Sequence, residues 1–445
     1  MDKKGIKVLG CIIFLHLLWF AGGMIWKSFY NGDSYEYIYL AENIRHGFYY
    51  GANALLPIVD YGLSSRTPLY SLLLLLNYTL FGLHNLPIFI FQNILSIASC
   101  WMIYGVFRKL FPEQIKGWIY ILLIAFYPAQ LFFATMLVPD TLLQFFLMLY
   151  CKELLFSLET PSPGRLAKMG LWLILATMTK PIVYPFLILH IGFSIWYFYK
   201  TRMSIVLLLG IIPFLSIIGY GFWNKSRTGL YHISSVQSQN LLNFNARSFL
   251  TFKYGNAYSD SVLDHANAGF VAQKGLKNKY EFADKAAKTI IKNDLKDYAL
   301  YHLKESGRFF IEPGKIELDM YVGYANLIFN PKSANFYSEL KKDGIKGAWN
   351  YLKGYPYLPL ILLIVLFNLI RIWGWLLFLF DKRYALSLKV VTTIYILYFA
   401  VVTGPVSNTR YFMTVLLIMS ALSSLGFAGL INKRKARKQT TLYAS

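Results

Sequence analysis

Charge is scarce in this chain. Over 445 residues, Asp, Glu, Lys and Arg together make up 15%, against about 25% in a soluble domain. Hydrophobic residues reach 56% and mean hydropathy is +0.44. A chain this apolar cannot cover itself with polar surface in water, which excludes a cytosolic enzyme and a disordered chain. Cysteine is also rare. Cys11, Cys100 and Cys151 all fall inside apolar runs, so neither a disulfide scaffold nor a CxxC metal site is expected. The seven histidines never reach ligand spacing. No P-loop, GxSxG or HExxH occurs, and no internal repeat supports a transporter of inverted halves. Acidic residues are few, 22 against 44 basic, giving a net charge of +22. Nucleic acid is one reading of such an excess. Basic residues flanking membrane spans explain it better, so no nucleic-acid partner is expected.

The apolar runs themselves predict an all-α polytopic membrane protein. A bilayer core needs about 20 apolar residues per helix. Ten spans are expected, at 6–26, 87–107, 117–135, 138–156, 168–180, 182–199, 203–223, 356–379, 387–404 and 410–431. The first run is basic and then apolar but lacks a small-x-small cleavage site, so it reads as an uncleaved span. With the N-terminus inside, the inside connections carry eighteen basic residues, among them Lys3, Lys7, Arg108, Lys109, Arg202 and Lys382. The short outside connections carry five: Lys27, Arg45, Arg66, Lys180 and Arg410. That asymmetry predicts cytoplasmic N- and C-termini.

Four units follow. A transmembrane core spans 1–223 and includes a first outer loop at 27–86. Residues 224–355 form an outer segment, 356–431 the C-terminal spans, and 432–445 a basic tail. In the first loop, Tyr37, Leu40, Ala41 and Ile44 follow helical spacing. Residues 68–82 are apolar but short, so a helix lying on the outer membrane surface is expected. The outer segment is expected to be mostly helical, with one helix at 285–310.

A few residues could carry chemistry. Asp33 lies just beyond the outer end of the first span. Its carboxylate could act as a general base or orient a sugar hydroxyl; with Glu36 three residues on, it could equally be a capping pair. Asp140, in LVPDTLLQFF, opens the fourth span. A carboxylate beside hydrocarbon points to function, although Pro139-Asp140 is also a good helix start. Arg66, Lys180 and Arg410 stand on the same predicted side. Together they could clamp a phosphate; singly, each could snorkel to headgroups. Tyr30, Tyr35, Tyr37 and Tyr61 could stack on a sugar.

Seven stretches, in order along the chain, match a known pattern: GDSYEYIYLAENIRHG, SSRTPLYSLLLLLNYTLFG, YPAQLFFATMLVPDTLLQFF, LATMTKP, SQNLLNFNA, KAAKTIIKNDLKDYALYHLKESGRFF and SNTRYFMTVLLIMSAL. The chain resembles the glycosyltransferase C superfamily. Within it, the chain is most similar to bacterial lipid-carrier-dependent enzymes akin to protein O-mannosyltransferases and the lipid A aminoarabinose transferase. Two positions depart from the pattern. Asp33-Ser34 stands where many relatives carry Asp-Glu, and Arg66-Thr67-Pro68-Leu69 stands where they carry basic-Pro-Pro-Leu.

The resemblance implies transfer of a single sugar from a polyprenyl-phosphate donor to an acceptor glycan, lipid or protein, on the outer face of a bacterial inner membrane. It implies Asp33 as the catalytic carboxylate and Arg66, Lys180 and Arg410 as ligands of the donor phosphate. Asp140, Glu36 and Tyr411 would hold the sugar or acceptor. No cofactor is called for, a divalent metal stays open, and membrane lipid is the remaining partner. Two alternatives stand beside this expectation. One is a glycan polymerase or ligase; the other is a lipid-glycan flippase or transporter. The second would need polar groups at mid-depth in several spans, where Arg371 is the conspicuous one.

Overall fold

A computed structural model describes residues 2–56, 60–112, 114–322, 336–353 and 357–443. Among them the only β pairing is an isolated antiparallel bridge between Tyr50 and Leu63; everything else regular is helical. Among the described residues, seven helices are long and apolar enough to cross a membrane: Lys3–Trp26, Leu86–Leu110, Asp140–Glu159, Ile205–Thr228, Leu358–Phe380, Leu386–Val406 and Thr409–Asn432. A bent pair, Gly117–Ala125 and Ala129–Thr135, makes eight if it counts as one span.

The chain is therefore an all-α polytopic membrane protein with fewer than the ten expected spans. The shortfall has a physical origin. Pro163–Thr179 has 17 residues and Phe186–Thr201 has 16. At 1.5 Å per residue each reaches only about 25 Å, less than the roughly 30 Å hydrocarbon core. The expected span 117–135 is bent by 79°. Pro128 lacks an amide proton and disfavours helix in the residue before it, so the first half ends at Ala125.

The last helix is the centre of the bundle. Of its span 83% is buried, against 22% for Lys3–Trp26, so the other helices are arranged around it. It approaches Leu358–Phe380 closely: a Cβ on Gly426 would lie 2.1 Å from the Gly374 carbonyl oxygen. Small residues permit such contact between membrane helices. Paired amides fasten three elements together. Gln130 and Gln144 exchange side-chain hydrogen bonds at 2.8 and 2.6 Å, and Gln144 also donates to the Met413 carbonyl at 2.7 Å. These bonds join the bent pair, Asp140–Glu159 and the last helix one turn away from Asp140.

The first loop folds onto the bundle through two helices, Ser34–Arg45 and Pro68–Phe81. Tyr37, Leu40 and Ala41 are buried, as the spacing predicts. The long polar segment is helical over most of its described length. The single helix expected at 285–310 is two, Leu276–Asn293 and Leu295–Arg308, broken at Asp294. Leu242, Leu250, Leu263, Ala283 and Ala287 give this segment a small core of its own.

Candidate active site

The start of Ser34–Arg45 explains how its acidic residues become free for other partners. Asn31 orders the turn before the helix: its side-chain oxygen accepts from the Asp33 amide at 3.0 Å and the Ser34 hydroxyl at 3.3 Å. Asp33 makes no capping hydrogen bond, so the capping pair considered from the sequence does not form. Both carboxylates turn instead toward Arg66, which precedes Pro68–Phe81. Arg66 Nη2 lies 2.8 Å from Asp33 Oδ1, and Arg66 Nε lies 3.0 Å from Glu36 Oε2.

Three distant stretches complete the arrangement. Asp140 sits in the first turn of Asp140–Glu159, where the helix dipole favours a negative charge. Lys180 follows the end of Pro163–Thr179 in extended backbone, and Arg410 lies in the first turn of the last helix. Arg410 Nη1 is 2.8 Å from Asp33 Oδ2, and its Nη2 is 3.0 Å from Asp140 Oδ2. Lys180 Nζ is 2.7 Å from Asp140 Oδ1. The result is an alternating row, Glu36–Arg66–Asp33–Arg410–Asp140–Lys180, of three carboxylates and three cations.

Aromatic rings line this row. Tyr37 lies 5.3 Å from the Arg66 guanidinium, Phe133 lies 5.9 Å from that of Arg410, and Tyr411 lies 4.9 Å from Lys180 Nζ. The seven residues to which the resemblance assigns a site role thus meet in one place: Asp33, Glu36, Arg66, Asp140, Lys180, Arg410 and Tyr411. The three cations are largely buried and paired with carboxylates, so none is a simple snorkelling side chain. Tyr30 and Tyr35 are exposed and stack on each other, while the Tyr61 side chain lies outside the described residues.

The electrostatics follow from the pairing. Burial pushes the Asp33 carboxyl up, but the guanidinium groups of Arg410 and Arg66 outweigh it and hold the group well below the usual carboxylate range. Arg66 is held protonated: burial works against its charge, while Tyr37, Asp33 and Glu36 favour it. Asp33 is therefore ionised, with each oxygen already accepting from an arginine. A carboxylate so engaged is a weak base until something competes for its partners.

Sequence reasoning missed Asn31, Phe133, the Gln130–Gln144 pair and Glu317. Two amides inside apolar runs are themselves a signal. Glu317 had none, because an acidic residue in the polar outer segment does not stand out. It is buried on Lys315–Tyr321 beside Thr409, the residue before Arg410. Among the described residues no group of three or more His, Cys, Asp or Glu side chains is arranged to hold a metal ion.

No curated protein sequence matches the chain. Solved structures similar to the chain include two of ArnT from Cupriavidus metallidurans. The one bound to undecaprenyl phosphate is 11% identical, with 96% of this chain and 78% of that chain covered and a TM-score of 0.39. The apo form is also 11% identical, with 93% and 76% covered and a TM-score of 0.34. Neither likeness is close enough to carry a site or a ligand across. Residues 65–223, the stretch that holds Arg66, Asp140 and Lys180, are similar to the dolichyl-phosphate-mannose-protein mannosyltransferase family.

Proposed function

We propose that the chain is a membrane glycosyltransferase that moves one sugar from a polyprenyl-phosphate donor to an acceptor at the outer membrane face. The observation that carries this reading is the buried alternating row, with three cations gathered beside two aspartates at one end of an apolar bundle. Its support elsewhere is the match of residues 65–223 to a family named for a dolichyl-phosphate-linked sugar. A phosphate leaving group needs charge stabilisation more than it needs a general acid.

In this reading the donor phosphate competes with the carboxylates for Arg66, Arg410 and Lys180. That competition releases an oxygen of Asp33 and raises its proton affinity. The acceptor hydroxyl then gives its proton to Asp33 as its oxygen bonds to the anomeric carbon. The bond from that carbon to the phosphate oxygen breaks, and its electron pair leaves with the phosphate. Asp140, Glu36 and Tyr411 hold the sugar or acceptor.

The test compares the masses of envelope glycans and lipids from cells with and without the gene, then with variants restored. A difference of one sugar, recovered by wild type and lost with Asp33→Asn, is expected. No difference, or a difference of whole chains, rejects the reading. Arg410→Lys keeps a charge but loses the planar fork that bridges Asp33 and Asp140. One charge-assisted hydrogen bond is worth about 1.5–3 kcal/mol, so donor affinity should fall roughly tenfold to hundredfold.

A further inference from the structure

Arg371 is fully buried in the interior of Leu358–Phe380, at a depth where an ionised side chain is costly and marks a functional place by default. Among the described residues its hydrogen-bond partners are all neutral. Its Nη1 donates to Asn368 Oδ1 at 2.5 Å, its Nε to Ser420 Oγ at 3.3 Å, and its Nη2 to the Leu123 carbonyl. The last contact falls in the final turn of Gly117–Ala125, where the break leaves carbonyls without helical donors and a cation suits the helix dipole. Two rings face the guanidinium, Tyr127 at 5.3 Å and Phe412 at 5.6 Å.

Those two rings connect Arg371 to the candidate site. The Tyr127 hydroxyl donates to the Thr409 carbonyl at 3.1 Å. Arg371 therefore holds Thr409 through Tyr127 and faces Phe412 directly, and these two residues bracket Arg410 and Tyr411. By capping the first half of the bent pair it also fixes where the second half begins, and that half carries Phe133, the ring beside Arg410.

We propose that Arg371 is a positioning residue: from within the bundle it locks the helix break and the turn 409–412 into one frame, and so sets the place of Arg410. The consequence for the donor rests on the glycosyltransferase reading; the positioning itself does not.

The test uses the full-length protein in detergent, with 3-fluorotyrosine at position 411, and three readouts: melting temperature, the fluorine spectrum and binding of undecaprenyl phosphate. Arg371 has no carboxylate partner among the described residues, so an apolar side chain of similar volume removes a buried charge without leaving an opposite one unpaired. Arg371→Met is therefore expected to melt near wild type while the Tyr411 signal shifts or splits and lipid-phosphate affinity falls about tenfold. Tyr127→Phe, which keeps the ring and loses the bond to Thr409, should change the same signal and lower affinity about threefold. The double variant should bind no more weakly than Arg371→Met alone, since both act on one linkage. Additive losses, or an unchanged Tyr411 signal in Arg371→Met, overturn the proposal. If Arg371→Met does not fold, Arg371→Lys takes its place, with the same signal change expected and an unchanged signal overturning it. A wild type that binds no undecaprenyl phosphate, together with a Tyr411 signal that still responds to Arg371, rejects the donor reading and leaves the positioning intact.

Discussion

Glu317 is a single residue whose environment sets a measurable pH response. Burial pushes its carboxyl up from the ordinary 4.5 to about 7, with Glu312 adding to the shift and Arg410 and Thr409 opposing it. Between pH 4.5 and 7 the unfolded chain has released this proton and the folded chain has kept it. Stability contributed here is thus present at the acid side and lost as pH rises through that window. Asp33 has the opposite sign, because its carboxyl is depressed, and its share is lost only as pH falls below about 4. The melting temperature of Glu317→Gln relative to wild type should therefore rise between pH 5 and 7, because the variant lacks this loss. A difference that stays constant over that range would assign the titration to another group. At this scale the candidate site was largely legible, since five residues picked from position and predicted side, Asp33, Arg66, Asp140, Lys180 and Arg410, converge, and the resemblance added Glu36 and Tyr411. What was hidden is how they pair. Asp33 stands at the N-cap without capping, and nothing in a string of residues says that two arginines, 33 and 377 positions further on, will take its oxygens instead.

Among the elements, the contact between Leu358–Phe380 and the last helix is the tightest constraint. A methyl on Gly426 would meet the backbone of the facing helix twice, the Gly374 oxygen at 2.1 Å and the Phe378 nitrogen at 2.8 Å. Neither atom can swing away, so Gly426→Ala has to push the helices apart. Overpacking usually costs about 1–3 kcal/mol, and a loss at the upper end of that range is expected, read as a lower melting temperature in detergent. A variant that melts like wild type would show that the helices slide without cost. Helix positions were readable from apolar runs, because hydrophobicity alone decides which segments can enter hydrocarbon. The break at Phe126–Pro128 was not, although Pro128 stood in view, since a proline can kink a helix without ending it. The same uncertainty about length let the two helices of 17 and 16 residues be read as full spans.

For the molecule as a whole, orientation is the property the charge asymmetry predicts and a labelling experiment can decide. Ser261 is exposed on Asn256–Ala272 and Ala385 is exposed between Leu358–Phe380 and Leu386–Thr403. In a background with Cys11, Cys100 and Cys151 replaced by serine, Ser261→Cys should react with an impermeant thiol reagent in intact cells. Ala385→Cys should react only after the membrane is opened. The reverse pattern would invert the topology and with it the side on which the site opens.

The alternating row also says something about the order in which the chain can be built. Glu36 and Arg66 leave the ribosome close together, and Asp140 and Lys180 can meet as soon as the hairpin between them inserts. Arg410, which joins these two pairs through Asp33 and Asp140, arrives only after every other member of the row has been made. Until then the half-built assembly carries one carboxylate more than it has cations. The last helix is thus a keystone in electrostatics as well as in packing. A nascent chain stalled before residue 410 should be recognisable to membrane quality control by that uncompensated charge.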